Sequence, residues 1–332
     1  MQKFLVIQTA FIGDVVLATA LLENLHLHYP NGQIDVLVRK GNEALFSGHP
    51  FITKVWIWHK KQNKFRNLLK LCLEIRNEKY NDVINLQRYF SSGLLTAFSG
   101  GKTKRGFDKN PLSVFFDVVK KHKISPSGKQ HEVERNQLLI ADLIGMRASR
   151  PKLYPTPNDY QAIAGLKDSP YICCAPASVW FTKQYPREKW IDFIGQVPSN
   201  IKIYFLGAKA DEALALDIIS QSGNSNAASL CGKLSFLESA ALMETALMNY
   251  VNDSAPMHFS SAVNAPVTAI YCSTVPEFGY GPLSARSNIV QINYPLSCRP
   301  CGLHGYKQCP QGHFKCAWDI PHHRLTEILL EK

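Results

Sequence analysis

No apolar run in this chain approaches the roughly 20 residues needed to cross a bilayer. The first 30 residues carry Asp14 and Glu23 where a secretory leader would have a basic start and a cleavage site of small residues. Together these absences predict a cytoplasmic protein with no membrane span. Short internal repeats and low-complexity tracts are also missing. Nine cysteines is an odd count in a chain without an export signal, so a disulfide framework is not expected. Cys72, Cys173, Cys174, Cys231 and Cys272 lie in apolar surroundings and read as small buried hydrophobes.

Acidic residues are scarce in one half only. Residues 1–165 hold 24 basic and 13 acidic side chains, whereas 166–332 hold 13 of each, so the net charge of +11 belongs entirely to the first half. The excess concentrates in Lys54 to Lys79 (Lys60, Lys61, Lys64, Arg66, Lys70, Arg76) and in Lys102 to Lys123 (Lys104, Arg105, Lys109, Lys120, Lys121). Trp56, Trp58, Phe65, Phe107, Phe115 and Phe116 interleave with these charges. Such a surface suits an anionic membrane face or a phosphorylated acceptor; nucleic acid and plain solvation are the competing readings.

What is present is an α/β alternation in a chain of 332 residues, 45% hydrophobic, long enough for two domains. Strand-like runs at Phe4 to Ile7, Gln33 to Val38, Lys54 to Trp58 and Asp82 to Asn85 alternate with helical runs over 15–28, 63–76 and 91–98. One long helix is expected over Glu132 to Ile144. Pro151, Pro155, Pro157 and Pro170 then mark a boundary. A second series follows, with strands at Tyr171 to Ala175, Ile201 to Leu206, Tyr250 to Asn252 and Val267 to Tyr271. We place a basic domain at 1–160 and a second at 161–332, ending in a short helix that carries Leu325, Ile328 and Leu329.

The first apolar strand runs into Gln8-Thr9-Ala10-Phe11-Ile12-Gly13-Asp14 and then a helix. This loop has one glycine where G-x-G-x-x-G needs three, and only Asp35 survives of a dinucleotide fingerprint, so NAD is a poor candidate. Asp14 is either a helix N-cap or a carboxylate set beside the helix amides for chemistry. Three loops of the second domain suit an anion. Ala175 to Pro186 offers Ser178, Thr182 and Lys183 ahead of a proline-initiated helix; Leu206 to Glu212 offers Gly207 and Asp211; Val251 to His258 offers Asp253, Ser254, Met257 and His258 at a helix start. A solvated lysine, a first-turn acid and an ordinary N-cap are the plain alternatives. Near the C-terminus Cys298, Cys301, Cys309 and Cys316 follow C-x2-C-x7-C-x6-C, with His304 and His313 between them. Four thiolates so spaced can close a tetrahedral structural Zn or Fe site within 298–316; reduced thiols and a disulfide are the alternatives.

Five segments in order, Ile12-Gly13-Asp14-Val15-Val16, Asn85-Leu86-Gln87-Arg88, Lys183-x-Tyr185-Pro186-x-x-x-Trp190, Cys231-Gly232-Lys233-Leu234-Ser235 and Asn252-Asp253-Ser254-x-x-Met257-His258, resemble glycosyltransferase family 9, the ADP-heptose:lipopolysaccharide heptosyltransferases. The resemblance implies a GT-B architecture, two Rossmann-like domains with parallel sheets facing across a cleft. The N-terminal domain would take the acceptor through Gly13, Gln87, Arg88 and Arg105, and the C-terminal domain would take the nucleotide sugar. It implies inverting transfer of a heptose from ADP-heptose to an inner-core Kdo or heptose of an anionic glycolipid at the cytoplasmic face of the inner membrane. Asp14 would be the general base and Lys183 would stabilise the departing diphosphate. No catalytic cofactor and no nucleic acid are implied. Two departures bear on donor choice: Ala255 stands where the family commonly has glycine, and Cys272-Ser273-Thr274-Val275-Pro276-Glu277 replaces a Gly-Pro-Thr-Asp-Pro-like loop. A nucleotide-sugar epimerase of the same fold, and a metal-stapled nucleic-acid-binding protein, are the rival functions.

Overall fold

Runs of Ile, Val, Leu and Phe only four to seven residues long cannot bury themselves as helices, and here they form parallel strands covered by helices. The computed structural model describes residues 1–60, 63–128, 130–146 and 149–331. Lys61 of the first basic run lies outside the described residues. The first sheet comprises β1 (Lys3–Ile7), β2 (Gln33–Arg39), β3 (Ile52–Trp58), β4 (Asp82–Asn85), β5 (Thr103–Phe107) and β6 (Val118–Lys120), in the order β3-β2-β1-β4-β5-β6. The second comprises β7 (Tyr171–Ala175), β8 (Lys202–Phe205), β9 (Ala227–Ser229), β10 (Asn249–Asn252), β11 (Val267–Ile270) and β12 (Ser287–Val290), in the order β9-β8-β7-β10-β11-β12. These are the same Rossmann topology twice over, with every neighbouring pair parallel.

The chain divides into two compact units, Met1–Ile124 with Gln130–Tyr154, and Ser125–Lys129 with Pro155–Lys332. The division after Tyr154 comes six residues before the expected one. Pro157–Ala162 is a helix of the second unit, capped by Thr156 and tied to it through a Tyr160–Glu244 hydrogen bond of 2.7 Å. In the first unit the helix Ile12–His28 is apolar nearly all round, as a helix buried between a sheet and further helices must be. In the second, the C-terminal helix Arg324–Leu330 drives Leu325 and Ile328 into the core formed by β7, β8, β10 and the helix Arg187–Gln196.

The basic stretches contain more structure than charge. Trp56, Trp58, Phe107 and Phe116 are buried, so of the interleaved aromatics only Phe65 and Phe115 reach the surface. The segment 102–123 holds β5 and β6, which alternating lysines conceal; Gly106 lets Phe116, just ahead of β6, lie over β5, because a Cβ there would stand 2.5 Å from the Phe116 ring. Arg105, expected to meet the acceptor, is instead buried on β5. Its Nε donates to Asp82 at 2.7 Å and its Nη1 to Asp142 at 2.6 Å and to the Leu139 carbonyl at 3.2 Å. That last bond helps explain a second correction: the helix expected over Glu132 to Ile144 is broken into Glu132–Gln137 and Ala141–Ile144, with the Leu139 carbonyl turned to a side chain. Asp35 is likewise sealed inside, accepting from Tyr80 Oη at 2.5 Å, and is no ribose ligand.

Removing one partner of a buried ion pair strands the other. Arg105→Ala should therefore lower the unfolding free energy by about 3–5 kcal/mol in urea titrations, and adding Asp82→Asn should cost less than the sum of the two single changes.

Candidate active site

In a sheet of this order the loops after the first and fourth strands diverge, leaving a crevice at the strands' carboxyl ends. Both units place their unusual residues there.

In the first unit the β1 loop is 8–11 and the β4 loop is 86–89. Gln87, buried, donates from its side chain to Gln8 Oε1, and its backbone N–H is held by Asn85 Oδ1 at 2.8 Å. Asn110 Nδ2 in turn donates to the Gln87 and Tyr89 carbonyls at 2.9 and 3.1 Å. Gln87 is thus a brace between the two loops and leaves little surface for an acceptor. Arg88 beside it is exposed, with its guanidinium 5.6 Å from the Tyr89 ring centre.

Asp14 is the third residue of the helix Ile12–His28, whose N-cap is the Phe11 backbone without a side-chain cap. The N-cap explanation of Asp14 therefore falls. Half-buried, it projects from the first turn after the buried Gly13, where free amides favour a carboxylate. Two cations that sequence reasoning did not assign to the site attend this loop. Arg39, at the end of β2, stacks on the Phe11 ring at 4.8 Å; burial pulls its guanidinium below the usual range, while the charge of Asp14 opposes that shift. Lys60 Nζ donates to the Thr9 carbonyl at 2.6 Å. Arg39 carries no loop signature, and only the parallel pairing of β2 with β1 brings it alongside.

In the second unit Lys183 Nζ meets Asp253 Oδ2 at 2.6 Å, and Thr274 Oγ1 donates to the same oxygen at 2.6 Å. Three loops, after β7, β10 and β11, converge on one carboxylate. Asn252, fully buried at the end of β10, pins the β7 loop at both ends: it accepts from the Tyr185 N–H at 3.0 Å and donates to the Pro176 carbonyl at 2.6 Å. Ser254 begins the helix Ala255–Ala262, and its hydroxyl bonds the Asn252 carbonyl at 3.3 Å in place of capping; in the first turn Pro256 has no N–H and the Met257 N–H donates to the Ser254 carbonyl at 3.1 Å. Ser178 is half-buried in the β7 loop, its carbonyl accepting from Gln184 at 2.7 Å.

The remaining donor-loop residues take structural parts. Thr182 is buried, and its Oγ1 accepts from the Tyr306 N–H at 2.8 Å and from Ser273 Oγ at 3.0 Å. Met257 is buried in the core against Tyr271 Oη. His258, on the same helix, is also buried. Asp211 accepts from the Ala208 N–H at 2.8 Å and closes its own turn, one strand away from the crevice.

The cysteine-rich segment lies beneath these loops. The Cys301 N–H donates to the Ser273 carbonyl at 2.8 Å, and Arg299 donates to the Cys272 and Thr274 carbonyls at 2.7 and 2.8 Å. Gly305, at φ +76°, passes so close that a Cβ would stand 2.9 Å from Thr182 Oγ1. All nine cysteines are free thiols; the five expected to be buried are buried, as is Cys316, whereas Cys298, Cys301 and Cys309 are half-buried. Among the described residues no three His, Cys, Asp or Glu side chains are grouped to hold a metal.

The model of glycosyltransferase family 9 (heptosyltransferase) matches residues 68–307. A lipooligosaccharide heptosyltransferase 2 of Campylobacter jejuni is 25% identical over 98% of each chain. Among solved structures, E. coli ADP-heptose lps heptosyltransferase II superposes with a TM-score of 0.78 over 99% of both chains at 20% identity. E. coli heptosyltransferase WaaC with ADP-2-deoxy-2-fluoro heptose gives 0.70 over 88% of this chain and 93% of that one, at 21% identity. The likeness spans both Rossmann-like units and shows the expected GT-B fold.

Asn252→Ala would leave the Tyr185 N–H and the Pro176 carbonyl buried without partners. Thermal denaturation should show a loss of about 2–4 kcal/mol.

Proposed function

The chain belongs to glycosyltransferase family 9 and is a glycosyltransferase; from that premise we propose that it moves a heptose from ADP-heptose to an inner-core sugar hydroxyl of lipopolysaccharide, with inversion. The observation that carries this reading is the convergence of Lys183, Asp253 and the uncapped helix at Ser254 on the crevice of the second unit. It is supported by the names of the relatives, among them structures solved with ADP and with an ADP-heptose analogue.

Asp14 takes the proton of the acceptor hydroxyl as its oxygen attacks the anomeric carbon. The bond from that carbon to the diphosphate oxygen breaks on the opposite face, and ADP leaves with the electron pair. Lys183 and the positive end of the helix that starts after Ser254 face the charge that develops on the leaving diphosphate. Asp253, Lys183's partner in the free enzyme, is released toward the donor's sugar hydroxyls. Lys60 and Arg88 suit a phosphorylated core sugar of an acceptor held, on this proposal, at the cytoplasmic face of the inner membrane.

The thiols of Cys298, Cys301, Cys309 and Cys316 complete the reading as a structural staple. Their spacing favours zinc or iron over a redox role, although the side chains are not gathered as ligands. Elemental analysis of the purified protein should find metal that is lost in the quadruple Cys→Ser variant, and no step of the transfer depends on it.

ADP release should require a Kdo-containing lipid A acceptor; conversion of the nucleotide sugar without acceptor would favour an epimerase. Asp14→Asn should lower kcat by about 10²–10⁴ with ADP affinity unchanged. Lys183→Ala should lower kcat by about 10²–10³ and weaken ADP binding as well. Full turnover by either variant contradicts the assigned roles.

A further inference from the structure

The helix Lys64–Asn77 turns Leu68, Leu71, Cys72 and Ile75 into the core, at the i, i+3, i+4, i+7 spacing of a buried stripe. That accounts for one face. A second apolar line, Phe65, Leu69 and Leu73, runs along the same helix at i, i+4, i+8 and is 80%, 63% and 57% exposed. The neighbouring helix Phe90–Ala97 carries a matching line: Phe90 and Phe98 are exposed and Leu94 between them is half-buried. The two helices pack side by side on one face of the first sheet.

Two close approaches bring the elements that carry these lines together. Gly100, at φ +69°, brings the chain after Phe98 against the end of the first helix, where a Cβ would stand 3.0 Å from Arg76 Cγ. Gly93 lets the turn 110–116 abut the second helix, with Leu112 Cβ only 3.1 Å from where a Cβ would lie. The tip of that turn, Val114 and Phe115, is 81% and 59% exposed. A soluble surface gains nothing from seven large apolar side chains on adjoining elements, and a patch of this kind marks an interaction site.

Its surroundings identify the occupant. Arg66 and Lys70 flank the first stripe, Lys102 follows Gly100 and Gly101, and Lys109 precedes the turn; all four are exposed. Of the acids nearby, Glu74 pairs with Lys70 at 3.7 Å and Asp117 with Lys104 at 3.4 Å, while Asp108, exposed beside Lys109, accepts from the His122 N–H at 3.1 Å; Arg76 and Lys79 add two more exposed cations. The exposed residues at the rim are therefore mainly cationic, and the centre includes Leu and Val, which offer no stacking platform for bases. We propose that this face of the first unit is a membrane-docking surface: the two helical stripes and the Val114–Phe115 tip enter the interface of an anionic phospholipid bilayer, and the basic rim engages its headgroups. The inference deepens the reading of a glycolipid acceptor, for an enzyme whose substrate is held in a membrane gains from being concentrated at its surface.

Flotation of the full-length protein with vesicles tests it. Vesicles of phosphatidylcholine containing about 30 mol % phosphatidylglycerol should bind it roughly tenfold more tightly than phosphatidylcholine alone, and added salt should erode the difference. Leu69→Glu with Leu73→Glu, and separately Val114→Ser with Phe115→Ser, should each reduce binding at least about fivefold while leaving the thermal midpoint and turnover of a deacylated, water-soluble acceptor unchanged. Equal binding by wild type and both variants, or no preference for anionic vesicles, overturns the proposal. So does a wild-type dimer that the same variants convert to a monomer. Failure of heptose transfer with vesicle binding intact would count against the proposed reaction and leave the docking surface standing.

Discussion

Reversal of strand order between β1 and β4, and again between β7 and β10, is the constraint on which the site depends. Where two adjacent parallel strands send their chains to opposite sides, the loops part and leave backbone groups facing a crevice. Something must hold such loops still. In both units the fourth strand ends at a fully buried asparagine, Asn85 in one and Asn252 in the other. Asn85 fixes the Gln87 amide, and Gln87 reaches across to Gln8; Asn252 grips the β7 loop at Pro176 and Tyr185. Asn252 uses its amide in full, donating and accepting at once, whereas Asn85 braces its loop through Oδ1 alone, its Nδ2 being buried without a partner among the described residues.

On these braced loops the charges fall into a simple pattern. The first unit presents a carboxylate, Asp14, attended by Arg39, with Lys60 bound to the same loop. The second presents an ammonium, Lys183, held against Asp253. Unit charges a few ångström apart near a protein surface interact by about 4 kcal/mol, so a diphosphate has reason to draw Lys183 away from a single carboxylate. The cysteine-rich segment contributes too: Arg299, Cys301 and Tyr306 bond the β7 and β11 loops, so its place in the chain makes sense as a support for those loops.

Much of this was legible in the sequence, because it rests on local signals. Apolar runs of strand length, a lone Gly13 before Asp14 and prolines at helix starts located the alternation, the two units and the loops that carry Asp14, Lys183 and Asp253. What escaped was nonlocal. Arg105 counted as one more basic residue in a charged run, and nothing near it reveals Asp82 or Asp142, 23 and 37 positions away. Thr182 looked like a phosphate contact until Tyr306, 124 positions on, claimed its hydroxyl. The strands β5 and β6 hid behind lysines whose solvated ends disguise a buried backbone, and Arg39 joins the site only through strand pairing. Exposure was equally nonlocal: Trp58 and Phe115 look alike in a basic stretch, yet one fills the core and the other stands in solvent.

The central claim is a single displacement in which Asp14 activates an acceptor hydroxyl and the second unit holds the departing diphosphate. The stereochemical course of transfer tests it most directly. An NMR assignment of the product formed from ADP-heptose of known anomeric configuration should show the new glycosidic bond with the opposite configuration. Retention of configuration would require a different mechanism and would contradict the account.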